Sequence, residues 1–338
     1  INDTIQCFNS NQFLFTNLSV AGSDTLNYSW HFGDGQSSTQ ENPSHQYTSE
    51  GTYTVKLVVY PTKGCADSIM KQVTVLPSPV ASYTVNDSGQ CFQNNVFNFT
   101  NTTTISSGSM SYQWDFDDGY LSTLTDASHS FNSSDTFYVQ LVATAGTGCA
   151  DTVGHNMYVF PTPDADFTTN GNSQCIDNNQ FSFTNLSSIP SGQMTYYWEF
   201  GDGDTSTLTD PQHTYDTSTS YDVQLVAISG FSCTDTIVKT MLVNPMPTAN
   251  FDINDSNQCL NTNLFNFNNT STIISGFLAY EWDLGDNTTN QNVNNTHTYA
   301  TSDTFDVQLV AISSHQCRDS IVKKAYVFPN PQASFQVN

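Results

Sequence analysis

The sequence predicts an all-β chain of four tandem β-sandwiches in an elongated rod, and three observations carry that expectation. The first is composition. Only four Glu and six Lys occur, while Asn, Thr, Ser, Asp, Phe and Tyr abound, which suits strands and turns and argues against helical bundles and βαβ folds. The second is an internal repeat. Trp30, Trp114, Trp198 and Trp282 stand 84 residues apart, as do Cys7, Cys91, Cys175 and Cys259. Cys65, Cys149, Cys233 and Cys317 keep the same step, with His45, His129, His213 and His297 and the pairs Pro77/Pro79, Pro161/Pro163, Pro245/Pro247 and Pro329/Pro331. The third is alternation of period two inside each copy.

The second copy shows the elements in order. It opens on Pro79-Val-Ala-Ser-Tyr-Thr-Val-Asn86, a first strand. Phe97 and Phe99 alternate along the next strand, Tyr112, Trp114 and Phe116 along the third main one, and Phe137, Val139, Leu141 and Ala143 along a later, longer one. Each run puts alternate side chains on one face, the mark of a half-buried strand. About seven strands per copy, with the Trp on the third, predict an immunoglobulin-like sandwich. Two φ-locked prolines after the last strand predict a short, stiff joint. The expected domains are 1–78, lacking its first strand, then 79–162, 163–246 and 247–330, with 331–338 as the start of a fifth. Pro331-Gln-Ala-Ser-Phe-Gln-Val-Asn338 repeats the opening of the second copy, and Ile1-Asn2 aligns with Val85-Asn86. Both ends therefore fall inside a repeat, as expected of a piece of a longer repetitive chain.

Charge excludes whole classes of partner. Seven Lys+Arg stand against 31 Asp+Glu, a formal net charge of −24. A nucleic-acid binder needs a basic face to displace counterions from phosphate, and an anionic membrane surface disfavours such a chain equally. No apolar run reaches the roughly 18–20 residues of a membrane helix.

One constellation of residues has a family resemblance. Trp30-His-Phe-Gly-Asp-Gly35 is followed by Pro43-Ser-His-Gln-Tyr47 and Gly51-Thr-Tyr-Thr-Val-Lys-Leu57. This resembles the PKD domain, whose hallmark is W-x-F-G-D-G, then P-x-H-x-Y and G-x-Y-x-V-x-L, and the resemblance runs through all four copies. The third keeps Trp198-Glu-Phe-Gly-Asp-Gly203 and His213-Thr-Tyr215. The second has Asp117 where the first Gly stands, and the fourth has Leu284 and Asn287. In this reading Trp fills the core, while Gly-Asp-Gly reverses the chain because Gly accepts φ > 0 and Asp bonds its own backbone. The resemblance implies extracellular, non-catalytic modules that act as spacers and adhesive stalks. The repeated cysteines are similar to those of PKD arrays in giant surface adhesins of gliding bacteria, which are exported by the type IX route.

Two cysteines per copy in such a setting predict disulfides, and no Cys-x-x-Cys supports a zinc site. Pairing within copies would give Cys7–Cys65, Cys91–Cys149, Cys175–Cys233 and Cys259–Cys317. Immunoglobulin topology favours a different scheme. The first Cys falls in the loop before the second strand, at one end of the sandwich, and the second in the loop before the last strand, at the other. Those ends lie about 26 Å apart along a strand, whereas a disulfide tolerates Cα separations below about 7 Å. Tandem stacking then favours Cys7–Cys149, Cys91–Cys233 and Cys175–Cys317, with Cys65 and Cys259 left for neighbouring repeats of the same long chain.

Other candidates are weaker. Asp115, Asp117 and Asp118, and Asp202 and Asp204, are oxygen-rich enough to suggest Ca²⁺, although Asp in turns is ordinary and the copies share no such set. No other cofactor is expected. The repeated His, two residues before a core Tyr or Phe, reads as a buried hydrogen-bonding residue. No Gly-x-Ser-x-Gly elbow occurs and every Cys is spoken for, so no nucleophile is expected and the segment reads as non-enzymatic. Asp-(Ser/Thr)-aliphatic recurs at Ser68, Thr152, Thr236 and Ser320, with extra examples at Thr4 and Thr25. It resembles an O-glycosylation signal of gliding bacteria, and equally the ordinary start of a strand. Asn-x-Ser/Thr triplets such as those at Asn17 and Asn98 are expected by chance from this composition. The function expected is a structural or adhesive extracellular stalk or filament shaft, on a cell surface or secreted. The rivals are a polysaccharide-binding accessory module, which needs a row of outward aromatics on one sheet, and a surface-lattice component.

Overall fold

Alternation sets the strands. In Thr136–Ala145 the side chains of Phe137, Val139, Leu141, Ala143 and Ala145 are buried, and those between them face outward. Gly146 to Cys149 turn the chain, and Ala150–Phe160 runs back antiparallel with Thr144 opposite Ala150. A computed structural model describes residues 1–20, 22 and 24–337, in two compact units, Ile1–Pro161 and Thr162–Asn338, each holding two repeats.

The second repeat is a sandwich of two sheets. The larger has the order Leu121–Ser122, Met110–Asp115, Thr136–Ala145, Ala150–Phe160, Gly89–Cys91, and the smaller has Ala127–His129, Phe97–Asn101, Tyr83–Val85. Between them Trp114 is fully buried, with ring centroids 5.5 Å from Phe99 and 5.1 Å from Tyr83. Its indole N–H donates to Leu124 O at 3.0 Å, so the one polar atom of the ring is satisfied. The same hydrogen bond recurs at Trp30, Trp198 and Trp282. The third and fourth repeats have the same two sheets, and each repeat has its own apolar cluster. The chain is therefore all-β, four tandem immunoglobulin-like sandwiches.

The first repeat differs from the others in its smaller sheet. Among the described residues it pairs Phe13–Leu14 with Ser44–His45. Segment 329–337 carries no strand.

One expectation needs correction. The first cysteine of each copy does not lie in a loop. Cys91 ends the short strand Gly89–Cys91, which runs parallel to Ala150–Phe160 with Cys91 opposite Phe160, and Cys7, Cys175 and Cys259 end equivalent strands. Three residues with a glycine and a glutamine show no apolar alternation. The strand exists because the last long strand offers it an edge, which is a tertiary cause.

Candidate functional site

Two features recur with the repeat, and both grow from its turns and ends. The first is built on Gly-Asp-Gly. Gly33 and Gly35 have φ of +89° and +93°, and a Cβ on Gly33 would lie 2.8 Å from Thr54 O, so that position needs glycine twice over. Asp34 Oδ1 accepts the Gln36 N–H, closing the turn, and its Oδ2 lies 2.7 Å from His45 Nε2. The imidazole stacks flat on Phe32 at 4.1 Å and meets Tyr47 edge-on at 4.6 Å. Tyr47 in turn donates its hydroxyl to Phe32 O. Asp118–His129, Asp202–His213 and Asp286–His297 repeat the pair at 2.6–2.7 Å. Burial pushes the Asp34, Asp202 and Asp286 carboxyls up. The hydrogen bonds from the partner His and from backbone N–H groups outweigh it and hold all three below the usual carboxylate value. Burial also raises the Tyr47, Tyr215 and Tyr299 hydroxyls above the phenol range.

Four of the five acidic candidates, Asp115, Asp117, Asp118 and Asp202, accept backbone hydrogen bonds at these turns. Asp115 Oδ1 accepts from Asp117 N, Asp117 Oδ2 from Tyr138 N, and Asp118 Oδ1 from Tyr120 N. The three carboxylates thus serve three separate backbone donors. Asp202, Asp204 and His213 place ligand atoms within 4.8 Å of one another, but Asp202 already accepts from Asp204 N and pairs with His213.

The second feature is the joint between repeats. Cys7 is bonded to Cys149, and Cys175 to Cys317, each across a repeat boundary inside one unit, with Cα–Cα separations of 5.6 Å. Cys91 and Cys233 are also oxidised, while Cys65 and Cys259 are free and exposed. Beside the first joint the Asn9 side-chain amide donates to Ala150 O, and Ser106 donates to the Glu50 carboxylate. Ser78, between Pro77 and Pro79, exchanges hydrogen bonds with Asn9. The prolines thus lie in a joint that is also bonded covalently.

A family model described as PKD domain matches residues 3–75, 77–160, 161–243 and 244–328. The chain belongs to the PKD domain family. Collagenase ColA of Bacillus cereus is 44% identical over 57 residues, 17% of this chain and 6% of that protein. The pre-pro-metalloprotease PrtV of Vibrio cholerae is 38% identical over 63 residues, again 17% of this chain and 7% of that protein. The chain thus spans under a tenth of the length of these relatives. The solved PKD1 domain of Vibrio cholerae PrtV is 28% identical, covers 25% of this chain and 98% of that structure, and superposes with a TM-score of 0.22.

Departures from the PKD motif keep its geometry. Asp117, in place of the first glycine, has φ of +65°, and Asn287, in place of the second, has +70°. Asp and Asn are the side chains that best tolerate this region. The Asp of Asp-(Ser/Thr)-aliphatic also has a defined task in these PKD repeats. Asp151 Oδ2 accepts from Ala81 N, Asp235 from Ala165 N and Asp319 from Ala249 N, each at 2.8 Å, fastening the opening strand. The hydroxyl-bearing residues Thr4, Thr25, Ser68, Thr152, Thr236 and Ser320 are all exposed. Asn17 sits in a local turn, its side-chain oxygen accepting from Ser19 N.

Two features go beyond what the sequence reading identified. Asn11, Asn95, Asn179 and Asn263 are buried, and each accepts from the backbone N–H and donates to the backbone C=O of one residue, Tyr47, Phe131, Tyr215 or Tyr299. Their 84-residue step was the available signal. The other is an outward aromatic face on the PKD repeat 2 sheet. Tyr138 and Tyr158 are 47% and 42% exposed, and Tyr158 stacks parallel to Phe160 at 6.3 Å. A Cβ on Gly154 would come within 2.6 Å of the Tyr138 ring, and one on Gly89 within 2.9 Å of Phe160, so these rings lie over bare backbone. Repeat 4 keeps Tyr326 and Phe328 at the matching positions, with Phe328 half exposed.

Proposed function

We propose that these repeats are a mechanical element: an extracellular stalk or filament shaft of a surface adhesin whose modules are stapled to their neighbours by disulfides. One observation carries the reading, the pair of bonds Cys7–Cys149 and Cys175–Cys317, which cross repeat boundaries. A force travelling along the backbone enters at Cys7 and leaves at Cys149, bypassing most of two sandwiches. Structural disulfides persist in oxidising compartments, which supports an extracellular location, and a surface adhesin exported by the type IX route fits it. The four repeats need no catalytic step for this role. Single-molecule extension tests the idea. Unfolding steps of about 250–300 Å, the extended length of one repeat, should be absent from the oxidised chain and appear once reductant is added. Full steps in the oxidised chain would refute it.

The outward aromatic face of repeat 2 supports a second reading, an accessory module that holds insoluble polysaccharide for an attached enzyme. Flat rings over bare backbone suit stacking on sugar rings. Retention on chitin or cellulose that falls in Tyr138→Ala and Tyr158→Ala would favour it, and equal retention of all three proteins would end it.

A further inference from the structure

Repeat 4 departs from the other three at one edge, where Thr289–Asn290 ends its larger sheet and Asn295–His297 ends its smaller one. Asn290 stands where the other copies have Ser38, Ser122 and Ser206. Asn292 replaces Gln40, Leu124 and Leu208, and Asn268 replaces Thr16, Thr100 and Thr184. Asn295 replaces Pro43, Ala127 and Pro211. Asn294 holds the place of Asp126 and Asp210, so a carboxylate of the middle copies is a neutral amide here. Pairing of Phe267 with Asn295 and of Asn266 with Thr296 brings these residues to the same edge. Leu284 stands where Phe32, Phe116 and Phe200 stack on the repeated His at 4.1–4.2 Å, so His297 lacks that ring.

A cavity of about 370 Å³ lies here, lined by six asparagines together with Leu284, Phe267 and His297. Its volume falls at the small end of ligand sites, which run from roughly 300 to 1,000 Å³. Part of the bonding capacity of its amides is unspent. Asn290 Oδ1 accepts from Asn292 N, and Asn294 Oδ1 from Asn269 N. These bonds hold both side chains, and among the described residues the NH2 group of each has no acceptor. Asn295 is 6% exposed; its Oδ1 accepts from the Asn292 side chain, while its Nδ2 is buried without a partner. Pro43, Ala127 and Pro211 carry no such donor into their sandwiches. A buried donor without an acceptor opposes folding, and at this position repeat 4 alone has one.

We propose that repeat 4 has a binding site for one neutral sugar ring, as a free monosaccharide or as the terminal unit of a glycan. Charge decides against an ion. The lining contains no Lys, Arg, Asp or Glu, and its one titratable group, His297, has Nε2 taken by Asp286. An anion finds no cation there and meets a net charge of −24, and a metal ion finds no carboxylate. Carboxamides set a donor beside an acceptor, the pattern that neighbouring ring hydroxyls present in return. The NH2 groups of Asn290 and Asn294 donate to the sugar, and the side-chain oxygens of Asn266 and Asn268 accept from it. A turn of the Asn295 amide about its last bond, a broad torsion, gives its orphaned donor the same partner. Leu284 and Phe267 supply carbon for the C–H face of the ring. This site is separate from the outward rings of repeat 2, and it stands whether the repeats serve as a shaft or hold polysaccharide.

Saturation-transfer NMR on the 338-residue chain tests it, with the methyl glycosides of glucose, galactose, mannose and N-acetylglucosamine as probes. At least one should bind with a Kd of about 1–10 mM, the strength of a ring-sized ligand held by a few hydrogen bonds, and should shift the Asn295 side-chain amide signals. Leu284→Phe restores the residue of the other copies and refills the space, and should weaken binding about tenfold or more. Asn295→Ala, the residue of repeat 2, should weaken it about three- to tenfold, the loss of one hydrogen bond. Both variants carry residues that this sandwich already accepts at those places, and melting at the parent temperature checks that they fold. A tetrasaccharide of the sugar that binds separates the two sources: equal affinity assigns a chain end, and lost binding assigns a free ring. The proposal is overturned if none of the four glycosides binds, or if both variants bind as the parent does. It is overturned equally if methyl glucuronide or N-acetylglycinamide, a bare peptide unit, binds as well as the neutral sugar.

Discussion

A histidine next to an aspartate and flat on a phenylalanine looks like machinery, but its setting decides otherwise. His45, His129, His213 and His297 each have one ring nitrogen occupied by the turn carboxylate, and three of them lie against an aromatic face. The fourth repeat has Leu284 in place of Phe and keeps the Asp286 contact and the edge to Tyr299. The pair therefore pins the turn to the strand that carries the His. Because the Asp34, Asp202 and Asp286 carboxyls are held low, they stabilise the fold fully above the unfolded carboxylate value, about 3.9. That contribution is lost as pH falls through their folded values. Thermal melts should therefore be flat in this respect above about pH 4 and fall below it, with Asp202→Asn removing part of the slope. A midpoint unchanged down to pH 2, or an unaltered slope in the variant, would show that the pairs contribute nothing.

Between elements the decisive side chain is a buried asparagine. Asn179 satisfies both Tyr215 N and Tyr215 O and also donates to Ile176 O. Asn179→Ala leaves buried backbone groups without partners, and should cost repeat 3 about 1–3 kcal/mol in denaturant unfolding; a loss below about 0.5 kcal/mol would mean that water replaces the amide. The sandwich itself was legible from residues such as Phe137, Val139 and Leu141, whose alternation states which face is inside. The short strand ending at Cys91 was not legible, because its pairing depends on an edge more than 60 residues away. Nor was the outward face of Tyr138 and Tyr158. Alternation tells that two sets of side chains point opposite ways, but an aromatic on the polar set is visible only once glycine backbone is seen beneath it.

For the whole molecule, the relevant unit is the joint. Each repeat has a separate core, so removing a staple leaves the sandwiches folded and frees their relation. Replacing Cys175 and Cys317 together by Ser should lower the stability of unit 2 by about 2–4 kcal/mol and split its melting into two transitions in calorimetry. A single transition at the parent temperature would show that the bond adds no coupling. Because each staple closes over 142 residues, oxidation also has a clock. A first-kind cysteine that has emerged must stay reduced until the next repeat follows. At about 5–20 residues per second of synthesis that wait is roughly 7–28 s. The leading edge of such a chain always carries at least one unspent thiol, because the next first-kind cysteine, Cys91, emerges before Cys149 can claim Cys7, and order of emergence becomes order of bonding.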